Sequence, residues 1–321
     1  MARRPIKGVA FEALEFAVAP MGVDLFVDTV NGSTNDTGLS WDRALSTVEA
    51  ALGRLDSPKF FSSEFVHNSR VFIRGDVREQ FDAPDGLYGV KLIGQPNGRP
   101  RHSTSGGVVV DKNGCSWREL ATAGNRSLIR IEGQGWEIEN ILFVPESGYA
   151  AVRLYRTATD SVDASHMIVR RCKFISPGTR VGYALEDYGG AYHLLVEDNE
   201  FVNLEFAWKQ TDVGQASPSA HLWRRNIFDS CKTDIAGNFV ASLFEDNRFQ
   251  TKYDGTTHPT TLNLASTADA GVATRSNMVL NNVFADAAAD VTIAKGYKPA
   301  TGDIWRNKVS NTAADIVTVP A

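Results

Sequence analysis

Between Glu139 and Val309 one short phrase keeps returning: polar residues, an Asn, one variable residue, then a large apolar residue. It is written Asp198-Asn199-Glu200-Phe201, Arg225-Asn226-Ile227-Phe228, Asp246-Asn247-Arg248-Phe249, Asn281-Asn282-Val283-Phe284 and Arg306-Asn307-Lys308-Val309. Looser copies stand at Glu139-Asn140-Ile141-Leu142 and Arg171-Cys172-Lys173-Phe174, the latter with Cys in the Asn slot. The slot recurs at steps of 32, 27, 27, 21, 35 and 25 residues. A helical solenoid holds its period because helix pairs must stack, whereas a parallel β-coil needs only its strands in register and lets its turns vary. An elastic period therefore selects the coil.

Each phrase follows strand-like alternation, as in His193-Leu194-Leu195-Val196 and Met278-Val279-Leu280, and none carries the i, i+3, i+4 spacing of a helix. A second short strand comes after each, at 151–154, 182–185, 206–208, 234–236, 262–264, 291–294 and 316–319. One coil is then two or three strands joined by turns. Stacking places Phe174, Phe201, Phe228, Phe249 and Phe284 over one another inside. It places Asn140, Asn199, Asn226, Asn247, Asn282 and Asn307 over one another at a bend, where each amide can bond along the stack. About nine or ten coils at roughly 4.8 Å each make a rod on the order of 45 Å long.

These residues resemble the right-handed parallel β-helix proteins of the pectate-lyase-like superfamily, over most of the chain. The expected fold class is all-β, a right-handed parallel β-helix solenoid with an N-terminal capping α-helix and an extended N-terminal arm. The divisions expected are a docking arm at 1–23, a first strand and capping helix at 24–58, and the β-helix at 59–321. Asp24 to Asp28 reads as the first strand, followed by an oxygen-rich stretch, Asn31 to Gly38, taken as a structural turn because it lacks calcium-loop spacing. Ser40 is the expected N-cap, and Trp41, Ala44, Leu45, Val48, Ala51, Leu52 and Leu55 mark one helix face ending near Pro58. Val27-Asp28, Asn31-Gly32, Asn35-Asp36, Gly38-Leu39-Ser40-Trp41 and Ala44 together resemble the opening of many phage-associated β-helix proteins, in which a helix covers the first coil. An open coil end is an unpaired sheet edge and needs such a cover.

Three further body strands are expected at 71–75, 90–94 and 107–111, with projecting excursions at 95–102 and 112–124. Asp315 to Val319 reads as a last parallel strand that leaves the far end bare, to be blunted by Pro320 or covered by another chain.

With 33 basic against 38 acidic residues there is no basic field for nucleic acid. Cys115, Cys172 and Cys231 are odd in number and far apart, so they are read as buried single thiols from a reducing site of synthesis. Glu12 and Glu15 interrupt the apolar run a secretion signal requires, and no stretch is long and apolar enough for a membrane span. His67, His102, His166, His193, His221 and His258 have no metal-ligand spacing, although His166, His193 and His221 recur before successive phrases. No phosphate loop, nucleophile elbow or zinc signature occurs, so neither cofactor nor metal is expected.

Carbohydrate-active members of the superfamily imply acids and bases on the outward side of neighbouring coils. The sequence lacks their Gly-His-Gly, Asn-Thr-Asp and Asp-Asp motifs and their Asp-His and Arg clusters. The best remaining constellation is Glu186 and Asp187, with Trp208, Lys209, Gln210 and Asp212 on the next coil and Tyr155, Asp160 and Asp163 on the one before. Glu186, Asp187 and Asp212 are the catalytic candidates, Tyr155 and Trp208 the glycan-contact candidates, and a Glu186–Lys209 ion pair the structural alternative. In the arm, Arg3, Arg4, Phe11, Leu14, Phe16 and Val18 are the partner-docking candidates, against the coil itself or a neighbouring chain. The resemblance implies a non-enzymatic virion protein, a capsid decoration or short head-fibre subunit. It would be homotrimeric, made in the host cytoplasm and seated on the major capsid protein. The alternatives are a polysaccharide lyase or hydrolase and a glycan-binding spike.

Overall fold

The computed structural model describes residues 22–56, 68–85, 87–96, 100, 103–105, 108–110, 114–119, 126–145, 148–155, 164–177, 180–189, 191–211, 219–250, 260–264, 276–284, 304–309 and 312–316. They form a right-handed parallel β-helix with three sides. The first ladder runs from Asp24–Asp28 through Arg70–Val77, Lys91–Gly94, Glu137–Glu139, Ile168–Arg170, Leu195–Glu197, Leu222–Arg224 and Leu243–Glu245 to Met278–Phe284 and Ile304–Val309. The second runs from residues 75–77 through Cys115–Arg118, Leu142–Val144, Lys173–Ile175, Glu200–Val202 and Ile227–Asp229 to Arg248–Gln250. The third joins Phe81–Asp82, Ile129–Ile131, Ala150–Tyr155, Tyr183–Tyr188, Phe206–Gln210, Thr233–Ala236 and Thr260–Asn263.

The recurring phrase is the corner between the first and second ladders. Arg171, Asp198, Arg225, Asp246 and Asn281 each turn the chain there with φ of 53, 56, 54, 53 and 56°. Left-handed backbone is tolerated by Asp and Asn and costs the two arginines more, and at four of the five corners the Asn that follows bonds across to the neighbouring coils. The Asn199 Oδ1 accepts from Cys172 N, the Asn226 Oδ1 from Asn199 N, the Asn247 Oδ1 from Asn226 N and the Asn282 Oδ1 from Asn247 N, all at 2.9–3.0 Å. Each Nδ2 donates to a carbonyl of the preceding coil, so the buried amides form one continuous bonded column.

Two members of the expected column differ. The φ of Asn140 is 58° and its strand aligns Glu139 with Arg170, so Asn140 is the corner residue and Ile141 occupies the slot. Cys172 ends the column, its Sγ 3.6 Å from Ile138 O where an amide would donate. The side chains of Asn307 and Phe284 lie outside the described residues.

The aromatic stack is longer than expected. Phe81, Trp117, Phe143, Phe174, Phe201, Phe228 and Phe249 succeed one another with ring centroids 4.7–5.8 Å apart. Phe143, and not Leu142, is in register with Phe174. Charges alternate by coil beside the corner: Arg170-Arg171, Glu197-Asp198, Arg224-Arg225, Glu245-Asp246. Arg224 reaches Glu197 at 2.7 Å and Arg225 reaches Asp198 at 2.9 Å. Each surface pair adds little stability, but a slip by one coil would set like charges together.

The cap departs from expectation. Residues 41–43 form a single 3-10 turn, and the α-helix is the shorter Val48–Leu55, N-capped by Thr47, whose Oγ1 accepts from Ala50 N at 3.1 Å. Leu45 cannot be helical because its N–H and C=O pair with Phe26 O and Asp28 N, both at 2.8 Å, covering the outer edge of the first strand. Glu79 adds a second cap, its carboxylate accepting from Val48 N and Glu49 N, both at 2.9 Å. Buried Val48, Ala51, Leu52 and Leu55 face the coil.

In the expected excursion at 112–124, Cys115–Arg118 is a body strand. The expected body strand at 107–111 instead belongs to a separate hairpin, Ser103–Ser105 with Val108–Val110. At the far end Thr312–Ile316 folds back antiparallel on Ile304–Val309, pairing Asn307 with Ile316 and Lys308 with Asp315. The bare parallel edge expected there is therefore partly paired within the chain. The second strands expected at 291–294 and 317–319, and the arm at 1–21 with Arg3, Arg4, Phe11, Leu14, Phe16 and Val18, lie outside the described residues.

Candidate functional site

Glu186 and Asp187 are consecutive strand residues, so their side chains leave opposite faces of the sheet and cannot flank one bond. Glu186 is buried and sits between Arg153 and Lys209 in register. Arg153 Nε donates to Oε2 at 2.7 Å and Thr211 Oγ1 donates to Oε1 at 2.5 Å. The expected ion pair with Lys209 is absent among the described contacts: Lys209 Nζ lies 3.1 Å from Tyr183 Oη and 4.3 Å from that ring's centre. Asp187, also buried, accepts from Ala191 N at 3.1 Å.

The two aromatic candidates are occupied as well. Trp208 is fully buried, in register with Leu185 and Ile235, and edge-on to His221 and Trp223. It is a core residue, out of reach of an external ligand. Aligning the second strands would have shown this, since Val152, Leu185, Trp208, Ile235 and Leu262 form one apolar column. Tyr155 lies on the outside, with Tyr188 stacked on it at 5.2 Å from the next coil and the Arg130 guanidinium 4.4 Å from its centre from the preceding one. Asp160, Asp163 and Asp212 lie outside the described residues.

The recurring histidines separate. His166 and His193 are stacked corner residues with rings 4.7 Å apart, whereas His221 is one step out of register and buried. Burial pulls its pKa down to about 4, against the opposing hydrogen bond to Ala191 O. The three cysteines are buried thiols. Burial raises the Cys172 thiol to about 12 and pushes Cys231 well up. Among the described residues no three His, Cys, Asp or Glu are grouped to hold a metal, and no helix is long and apolar enough to cross a membrane.

A different place on the molecule is open. A cleft of about 480 Å³ lies beside the cap, lined by Asp28, Val30, Asn31, Trp41, Arg74, Gly75, Gln95, Pro96 and Gly114. Arg74 Nη2 and Nε donate to Asp28 Oδ2 at 2.6 and 2.9 Å, and the guanidinium sits 4.3 Å from the Trp41 ring centre. Asp28 Oδ1 accepts from Val30 N and Asn31 N at 2.9 and 3.1 Å, which fixes the turn that was expected there. Burial alone would raise the Asp28 pKa, but these N–H groups, Arg74 and the Asn31 amide outweigh it and hold it at about 2. Gly32 is required in this turn because a Cβ would lie 2.3 Å from Leu45 O. Sequence reading did not find the cleft: its residues come from four separated segments.

No protein-family model matches the chain, and no curated protein matches it in sequence. Solved structures to which the chain is similar include three carbohydrate-active enzymes. A pectate lyase from Bacillus sp. N165, solved with trigalacturonate, is 13% identical with a TM-score of 0.49, over 91% of this chain and 84% of that one. A rhamnogalacturonan lyase is 12% identical with a TM-score of 0.43, over 82% and 68%. The pectin methylesterase of Aspergillus niger is 12% identical with a TM-score of 0.41, over 92% and 87%. These likenesses are of fold, and a fold of this kind hosts unrelated activities.

Proposed function

We propose that this chain is a non-enzymatic structural component of a phage particle, a short β-helical shaft serving as a capsid decoration or head-fibre subunit. The observation that supports it is the use made of the residues best suited to chemistry. Glu186 is neutralised by Arg153, Tyr155 is held between Arg130 and Tyr188, and Trp208 is in the core, so each serves coil-to-coil contact. Placement in a particle rests on the resemblance of residues 27–44 to phage-associated openings. Anchoring through residues 1–23 to the major capsid protein, and a homotrimeric state, are parts of the same proposal. The paired far end takes away one argument for assembly, which leaves the N-terminal segment to provide it.

The test has two arms. Chain lacking residues 1–21, which keeps the buried Val23 and its backbone pairing to Arg70, should retain its melting transition but fail to enter particles, and unchanged incorporation would refute the anchoring role. Purified full chain incubated with capsular or pectic polysaccharides should release no reducing ends and no unsaturated uronate. Turnover that disappears in Glu186→Gln would overturn the proposal in favour of a polysaccharide lyase or hydrolase.

A further inference from the structure

We infer that the cleft beside the cap binds a neutral saccharide, the terminal one or two residues of a glycan chain. Charge decides the ligand class first. Asp28 lies buried beneath Arg74 and takes two of its donors, so the pair is close to neutral and offers no surplus positive charge to a phosphate, sulfate or uronate. A purely apolar ligand fits no better, because it would strip water from Arg74 and from the Asn31 and Gln95 amides without replacing their hydrogen bonds.

What suits such a wall is a molecule that donates and accepts hydrogen bonds around an apolar ring face, which describes a sugar. Arg74 commits Nε and Nη2 to Asp28 and keeps Nη1 as a donor. The Asn31 Nδ2 donates to Asp28 Oδ2 at 3.1 Å, which orients the amide and keeps its Oδ1 as an acceptor. Val30 and Pro96 supply the apolar walls, while Trp41, with the Arg74 guanidinium 4.3 Å from its ring centre and Phe26 packed against it at 5.0 Å, backs Arg74 from within the wall.

The site is also built in advance. One carboxylate, that of Asp28, holds Arg74 on one side and the Val30 and Asn31 N–H groups of the rim on the other, so little ordering is left for binding to impose. Small-molecule sites span roughly 300–1,000 Å³, and a cleft of about 480 Å³ accepts about one or two sugar rings. Nothing in this inference rests on the particle reading, and the two fail separately: sugar binding is measured on the isolated chain, particle entry is not.

The experiment uses the full chain and saturation-transfer NMR with methyl glycosides of glucose, galactose, mannose, rhamnose and N-acetylglucosamine, with glucuronate and inorganic phosphate as comparators. Binding is followed in parallel by tryptophan fluorescence, with Trp41→Phe as the control that assigns the signal, since among the tryptophans whose side chains are described Trp117, Trp136, Trp208 and Trp223 are fully buried and Trp41 is partly exposed. At least one neutral glycoside should bind, and more tightly than glucuronate or phosphate. Val30→Arg should weaken it about tenfold or more, because Val30 is 78% exposed on the rim and its replacement obstructs the cleft without entering the core. Leu39→Arg, exposed but outside the cleft, should leave binding unchanged. No neutral glycoside bound at up to about 50 mM, tighter binding of either anion, or binding indifferent to Val30→Arg would overturn the inference.

Discussion

Replacing Asn226 by Ala removes one link from the buried amide column. Its Oδ1 accepts from Asn199 N at 3.0 Å and from Asn199 Nδ2 at 3.1 Å; its Nδ2 donates to Val196 O at 2.8 Å and to Asn247 Oδ1 at 3.0 Å. Not all four bonds weigh equally. Asn199 Nδ2 still has Val169 O, and Asn247 Oδ1 still accepts the main-chain N–H of residue 226 at 3.0 Å. The Asn199 N–H, however, loses its acceptor in a buried place, and an orphaned buried donor costs about 1–3 kcal/mol. Adding the lost Val196 contact and the small cavity brings the total to about 3 kcal/mol.

Asn226→Asp is the sharper variant because it keeps the shape. The oxygen that replaces Nδ2 then faces Val196 O and Asn247 Oδ1, acceptor against acceptor, so at neutral pH it should cost more than Ala. Acidification, which returns a hydrogen to the carboxyl, should recover part of the loss. The readouts are urea denaturation for the global value and hydrogen exchange at the Asn199 amide for the local one, since each coil contacts only its neighbours. An Asp variant as stable as the parent at pH 7, with Asn199 exchange unchanged, would refute the bonded column.

Two further outcomes are expected. Cys172→Asn should extend the column by one coil and stabilise the fold by on the order of 1 kcal/mol, because Cys172 stands in the slot and its Sγ already points at Ile138 O; a lower midpoint in urea would show that the thiol is preferred there. Asp234 is buried, with neither carboxylate oxygen hydrogen-bonded among the described residues, and burial raises its pKa well above the ordinary value, against the pull of the nearby Cys231 thiol and Arg180. The folded state then holds this proton more tightly than the unfolded chain. Its contribution is fully present below the ordinary carboxylate pKa of about 4 and is lost as pH rises above it, at about 1.4 kcal/mol per unit until the folded pKa is reached. Asp234→Asn should remove that decline, stabilising the protein at pH 7 more than at pH 4 in paired melts; equal effects at both would mean the carboxyl is already ionised.

The corner column was readable because Asn199, Asn226, Asn247 and Asn282 each follow a polar corner residue and precede a strand with an inward Phe, all within a few residues. The looser copy at 139–142 misled by one position, since Asn140 resembles the slot while the pairing of Glu139 with Arg170 assigns the slot to Ile141. Local signals also overextended the capping helix: Ala44 and Leu45 have helical spacing, but the backbone of Leu45 gains more by pairing with Phe26 and Asp28. The face of Trp208 was misjudged because its strand was read alone and not against Leu185 and Ile235.

What the sequence determined by itself is the winding: a β-helix with stacked Asn corners and an aromatic interior, because alternation and corner chemistry are properties of a few adjacent residues. Tertiary structure decided the rest, namely which side chains meet between coils, how the two ends are paired, and where a cleft remains open. Those contacts join residues tens of positions apart, as Asp28 joins Arg74 and Glu186 joins Arg153, and turns of unequal length hide that register until the coils are laid one on another.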